Sequence, residues 1–269
     1  MMKNILLILF MFFFAFCGKY QKVLKSNDLK YKYSKAIEYY NNADFNKAMP
    51  IFNELMTSFK GSSNYEELSY YFAYTHYSTG DFLTATYLFN RFLQDYPNST
   101  HAEECKYMSA YSLYMEVPSY TLDPSNTKKA INKLQEFIDK YPNSDSLINC
   151  NLLIDELRQK ISDKQFSNAK QYYTTENYKA AIISLNNVLM DFPEIKNREE
   201  IQFIILQSSY FLAINSVSSK KEKRLIQTLS NYEQFVDNYP ESKFKDQVSD
   251  TFNKTNNSIE ELKKLKNEI

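Results

Sequence analysis

Beyond an apolar run from Ile5 to Phe16, the chain falls into short stretches in which apolar residues recur at helical spacing. Ala85, Leu88, Phe89 and Phe92 form one such stripe, Ala181, Leu185, Val188 and Leu189 another, and Tyr232, Phe235 and Val236 a third. Each stripe opens on a turn residue followed by an aromatic and an alanine. Asp44-Phe45 precedes Ala48, Asp81-Phe82 precedes Ala85, and Asn177-Tyr178 precedes Ala181. Each closes on proline, Pro97, Pro142 and Pro193 lying at the same distance beyond Ala85, Ala130 and Ala181 and each following tyrosine or phenylalanine. A further copy ends at Tyr239-Pro240, and Lys60-Gly61 takes that place in the first unit. Upstream of each stripe lies a second amphipathic stretch carrying a small residue where two helices approach closely, at Ala36, Ala73, Ala110 and Ala169. The pattern predicts an all-α chain of about five helix pairs.

Small residue, aromatic, alanine and then proline is the pattern of the tetratricopeptide repeat, which the chain resembles over residues 29–242. The expected architecture is a solenoid with units 1–3 over residues 29–146, and units 4 and 5 with a capping helix over 147–269. Two surface loops are expected within it. Glu116 to Thr127, with Pro118 and Asp123-Pro124, interrupts the third unit, and Ser216 to Glu222 does so in the fifth. From Leu147 into Phe166 the apolar pattern has no breaker, which predicts one long helix.

The apolar run before Cys17 is too short to span a bilayer, which takes about 20 residues. Its positive start, apolar middle and abrupt polar sequel at Gly18-Lys19 read as a secretory signal over residues 1–16. Cysteine at the processing site resembles the lipobox of bacterial lipoproteins, which implies acylation of Cys17 and a linker over residues 17–28. Phe16 stands where that pattern has a small residue. Scarce glycine, three residues in all, argues against a strand-rich fold with its many turns. Equal numbers of basic and acidic residues, 32 of each, leave no global field to attract nucleic acid.

No catalytic, cofactor-binding or metal-binding constellation emerges. His76 falls on a core-lining position, and His101 follows the Pro97-Asn98-Ser99 turn. Cys105 and Cys150 occupy repeat positions held elsewhere by Ile201 and Val248, so buried free thiols are expected. The acidic pairs Glu66-Glu67, Glu103-Glu104 and Glu199-Glu200 start first helices, where they favour the helix dipole. The basic run Lys220-Lys221-Glu222-Lys223-Arg224 reads as a solvated loop.

In tetratricopeptide arrays the first helices line the concave face. The repeat register places there Tyr33, Ile37 and Tyr40, then Tyr70, Tyr74 and Tyr77, then Tyr107, Tyr111 and Tyr114. Tyrosine combines large buried area with a hydroxyl at low entropy cost, which suits a groove for an extended, partly apolar peptide. The alternative is that these rings stack on one another and simply fill the inside of a tight superhelix.

Taken with the cysteine, the opening Gly18 to Ser26, the insertion at Asp123-Pro124 and the turns Asp95 to Ser99 and Lys140 to Ser144, the chain resembles the BamD family of outer-membrane β-barrel assembly lipoproteins. The resemblance implies a non-enzymatic lipoprotein on the periplasmic face of the outer membrane, held by its lipid anchor. It further implies that N-terminal repeats meet the targeting signals of unfolded outer-membrane β-barrel proteins, and that C-terminal repeats dock periplasmic domains of a BamA-type insertase. A tetratricopeptide lipoprotein scaffold of another envelope system, such as cell division or peptidoglycan synthesis, is the second expectation.

Overall fold

A computed structural model describes residues 18–119 and 123–267 of the 269-residue chain. The expected signal segment and Cys17 lie outside the described residues. Helices account for most of the described residues, and no strand occurs among them. Residues 18–24 form a short helix, α1. It is followed by α2 (Leu29–Asn41), α3 (Phe45–Ser58), α4 (Tyr65–Ser78), α5 (Phe82–Asp95), α6 (Ala102–Met115) and α7 (Ser125–Lys140). The remainder is α8 (Leu147–Thr174), α9 (Tyr178–Asp191), α10 (Arg198–Ile214), α11 (Ser218–Asn238) and α12 (Lys245–Asn267).

Two turn designs recur and explain why the helices end where they do. After α2, α4 and α8 the chain steps through one left-handed residue, Ala43 (φ 59), Gly80 (φ 81) and Glu176 (φ 59). Around each the same two bonds form. Asp44 N–H donates to the Tyr39 carbonyl and Ala43 N–H to that of Tyr40, and the pattern repeats at Asp81 with Gly80 and at Asn177 with Glu176. This is the Schellman arrangement, which satisfies carbonyls left over at a helix end. Only Gly80 adopts it without a Cβ penalty. Glu176→Gly is therefore expected to stabilise the protein by about 1 kcal/mol, read as a higher midpoint in urea with unchanged slope.

The second design ends the partner helices. The residue before each proline is driven out of helical geometry, to φ −133 at Tyr96, −126 at Tyr141, −130 at Phe192 and −138 at Tyr239. Its ring folds back on the helix it has just left, Tyr96 on Phe92 at 5.3 Å, Tyr141 on Phe137 at 5.4 Å and Tyr239 on Phe235 at 5.2 Å.

The chain divides into two compact units, residues up to Pro118 with Asp123–Leu157, and Arg158 onward. Within the first, Ala36, Ala48, Phe52, Leu68 and Phe72 pack one core, Ala73, Ala85, Phe89, Phe92 and Cys105 the next, and Ala110, Ala130, Leu134 and Phe137 a third. The division lies inside α8 and not at its start because Cys150, Leu153, Ile154 and Leu157 still belong to that third core. Within the second, Ala169, Ala181, Leu185, Ile201 and Ile204 form one core, and Leu206, Phe235 and Val248 another that α12 covers. The small residues are fully enclosed, Ala36, Ala73, Ala48, Ala85 and Ala181 at 0 % exposure, which is what lets neighbouring helices approach so closely.

Three expectations change. The fifth-unit loop is only Asn215 to Val217 long, because Ser218 to Glu222 already belong to α11. Burial of Leu225, Thr228 and Phe235 along one face, with Arg224 bonded back to the Ser216 hydroxyl, carries the helix upstream. The third-unit loop closes earlier too, since α7 begins at Ser125. Part of the expected linker is docked. Val23 is buried in the first core, and Tyr20 packs on Tyr39 at 5.7 Å while its hydroxyl donates to the Lys47 carbonyl at 3.3 Å.

Candidate functional site

The eight tyrosines singled out by the repeat register all lie in the first unit, on α2, α4 and α6, and every one is half-buried. They are neither sealed in the core nor free in solvent. Their rings lie against the cores, Tyr74 meeting Phe89 edge-on at 5.0 Å and Tyr107 meeting Phe137 at 5.6 Å. They also touch one another. Tyr70 and Tyr74 are 4.8 Å apart, Tyr77 and Tyr111 6.2 Å, and Tyr107, Tyr111 and Tyr114 follow at 5.7 Å each. Tyr40 reaches Tyr70 through Tyr71, at 5.0 and 5.6 Å, a residue the register did not flag. Ring stacking and an accessible aromatic surface therefore coexist.

Sequence reasoning missed how the hydroxyls are held. Tyr33 donates to Glu67 at 2.8 Å, and Tyr70 donates to Glu104 at 3.0 Å, each pair 34 residues apart. Tyr74 donates to the other oxygen of the same Glu104 carboxylate. Tyr107 accepts from the Asn149 amide, and Tyr114 donates to Glu156 at 2.7 Å. Glu67 and Glu104 do stand in the first turns of α4 and α6, where the helix dipole favours them. Each also reaches back to a tyrosine of the preceding pair, so it serves as a rung between repeats. The signal was in the spacing, since an acid recurring one repeat after a tyrosine is placed to meet it.

In the second unit the rung changes chemistry. Phe166 and Lys170 occupy the places of Tyr70 and Tyr74, and Lys170 makes an ion pair with Glu200 at 2.6 Å. The tyrosine–carboxylate rung is thus replaced there by an ion pair, although Tyr173, Tyr178 and Phe211 keep ring contacts of their own at 6.1 and 5.1 Å.

Burial, reinforced by the neighbouring carboxylates, pushes the hydroxyls of Tyr33, Tyr70 and Tyr74 well above the usual phenol range. Tyr114 is pushed up to about 12 by burial and Glu156. A folded-state value above the unfolded value of about 10 means that stability is fully present below that pH and is lost as pH rises through the folded value. Tyrosinate absorbance from this row is accordingly expected to appear together with alkaline unfolding, and not before it.

The two histidines serve structure. His76 Nδ1 lies 2.9 Å from the Asp81 carboxylate, which also caps α5 by accepting from Thr84 N–H at 3.2 Å. Its Nε2 is buried with no hydrogen-bond partner among the described residues, beside Phe72 at 4.7 Å. His101 lies on the Tyr70 ring at 4.2 Å. Cys105 and Cys150 are free and buried. Burial pushes their thiols up, helped at Cys105 by Glu104, to about 12 and about 11. Both are expected to resist alkylation at about pH 8 in the native protein and to react on unfolding, as read by peptide mass mapping. Among the described residues no His, Cys, Asp and Glu side chains gather as a metal site, and no helix is long and apolar enough to cross a membrane.

Helix pairs closed by recurring Schellman and tyrosine–proline turns, stacked on enclosed alanines, define a tetratricopeptide-like helical-repeat protein. The profile of the YfiO family, described as outer membrane lipoproteins, matches residues 25–225, about three quarters of the chain. The chain belongs to that family, and so to the outer membrane lipoproteins. Comparison with curated proteins finds no match.

Proposed function

We propose that this protein is the BamD-type lipoprotein of an outer-membrane β-barrel assembly complex. It is not an enzyme, it is anchored by acyl chains at Cys17 on the periplasmic face, and its tyrosine row holds the targeting signals of unfolded barrel proteins. The observation that carries the reading is the row itself, eight half-buried tyrosines at repeat-related places on three consecutive first helices, in a member of an outer membrane lipoprotein family. Fixed rings offer apolar area at little entropic cost, while the hydroxyls of Tyr33, Tyr70, Tyr74 and Tyr114 are already committed to carboxylates. A ligand is then recognised by ring faces and by the exposed acids Glu67 and Glu104 beside them. The C-terminal repeats dock the periplasmic domains of a BamA-type insertase.

Photo-crosslinking in cells tests this. A benzophenone amino acid at Tyr77 or Tyr111 is expected to capture barrel precursors, with a second position in α12 capturing the insertase. Recovery of divisome or murein enzymes at both places would transfer the protein to another envelope scaffold. Replacing the tyrosines by serine is a poor test, because these rings pack on Phe89 and Phe137 and their loss would disturb the fold as well as the surface.

A further inference from the structure

The second unit carries a cleft of about 400 Å³ between α9, α10 and α11 that the tyrosine row does not explain. Its volume falls within the range of ligand sites, roughly 300–1,000 Å³. Its apolar lining is Ile182, Leu189, Ile205 and Leu212. Around that lining stand five side-chain amides, Asn186, Gln202, Gln227, Asn231 and Gln234. Arg224 is the one charged residue among those that line it, so no acid in the lining stands beside it.

The polar groups are held in place. Asn231 donates to the Ser209 hydroxyl at 2.6 Å and accepts from Gln227 at 3.2 Å, and Ser209, itself buried, donates to the Ile205 carbonyl at 2.8 Å. Arg224 Nη1 donates to the Ser216 hydroxyl. A guanidinium has five N–H donors, so most of this one remains available. Asn186 spends its NH₂ group on the Ile182 carbonyl at 2.8 Å, and Gln202 spends its carbonyl on Asn238 at 3.2 Å. Each amide keeps its other end for a ligand, one offering an acceptor and the other a donor. Arg224, Gln227, Asn231 and Gln234 recur at helical spacing along one face of α11.

The basic run Lys220 to Arg224 supplies a second observation. Its Lys220 and Lys221 stand in the first turn of α11, where positive side chains oppose the helix dipole, and Lys223 and Arg224 follow one turn on with Glu222 before them. Such a placement costs stability in the free protein, and an incoming negative charge would relieve it. We infer that this cleft binds an extended peptide segment that carries an acidic side chain. The carboxylate pairs with Arg224 at the basic end of α11, the side-chain amides pair with the peptide's backbone N–H and C=O groups, and a neighbouring apolar side chain enters between Ile205 and Leu212. An amide presents a donor and an acceptor together, as a peptide backbone does, which is why extended chain suits this lining better than a single anion. The site is independent of the tyrosine row, so either assignment can fail alone.

The test uses the full chain in detergent and a nonapeptide library with glutamate, glutamine, lysine or serine fixed at the centre. Glutamate pools are expected to bind about tenfold more tightly than glutamine pools, and Arg224→Gln to remove that preference. Gln234→Ala, on an exposed amide with no fold partner among the described residues, is expected to weaken all pools by a few-fold while leaving the glutamate preference intact. Equal binding of glutamate and glutamine pools, or a glutamate preference that survives in Arg224→Gln of unchanged thermal stability, would overturn the assignment. So would capture of a murein glycan fragment in the cleft in place of any peptide pool.

Discussion

Phe89→Ala is expected to lower the unfolding free energy by about 3–5 kcal/mol. The ring is 0 % exposed and lies between α4, α5 and α6, against Ala73, Ala85, Phe92, Cys105 and Met108, with Tyr74 edge-on at 5.0 Å. Its neighbours are enclosed alanines and a large aromatic, so the space cannot refill without moving helices, and the lost transfer energy is joined by a cavity term. A domain of ordinary stability has about 5–15 kcal/mol to lose, so the variant stands close to unfolding. Urea denaturation with an unchanged slope would report it. Tyr87→Ala, two residues upstream on α5 but 61 % exposed, is the matching control and is expected to change stability by less than about 0.5 kcal/mol. A similar loss in both variants would show that the second core does not pack as described.

Glu104→Leu is expected to cost about 2 kcal/mol and to loosen the tyrosine face. One carboxylate receives the hydroxyls of Tyr70 and Tyr74, and both are half-buried. Hydrogen bonds to a charged group contribute roughly 1.5–3 kcal/mol each when shielded. Glu104 is exposed, so that figure is reduced by solvent screening. A cycle with Tyr74→Phe, which keeps the ring and removes the hydroxyl, should return a coupling of about 1 kcal/mol. Absence of coupling would mean that the rung is geometric only.

The helix pairs were legible because the alanine, the turn residue and the proline recur in phase, and each marks a place where the backbone has few choices. Pro97 keeps Tyr96 out of helical geometry, and Ala85 admits only a close neighbour, whatever lies around them. The start of α11 was not legible, because Ser216 to Glu222 is polar and locally resembles a loop. Its helicity comes from packing further down the same face, at Leu225 and Phe235. The tyrosines of the row could be named from register alone. Their partners could not, since Glu104 has a sufficient local explanation as a dipole-favouring acid and only its distance from Tyr70 suggests the second role. Asn149 and Glu156 are harder still, because the insertion in the third unit stretches their spacing to Tyr107 and Tyr114 to 42 residues.

The docked α1 bears on how far the protein can stray from its membrane. Eleven residues of free chain between a lipidated Cys17 and α2 would give a leash of roughly 40 Å. With Val23 buried against the first helix pair and Tyr20 bonded to the Lys47 carbonyl, that slack is taken up. Were Cys17 acylated as proposed, the opening repeat would be held against the bilayer surface, and lengthening the chain between Cys17 and Tyr20 would let it drift away.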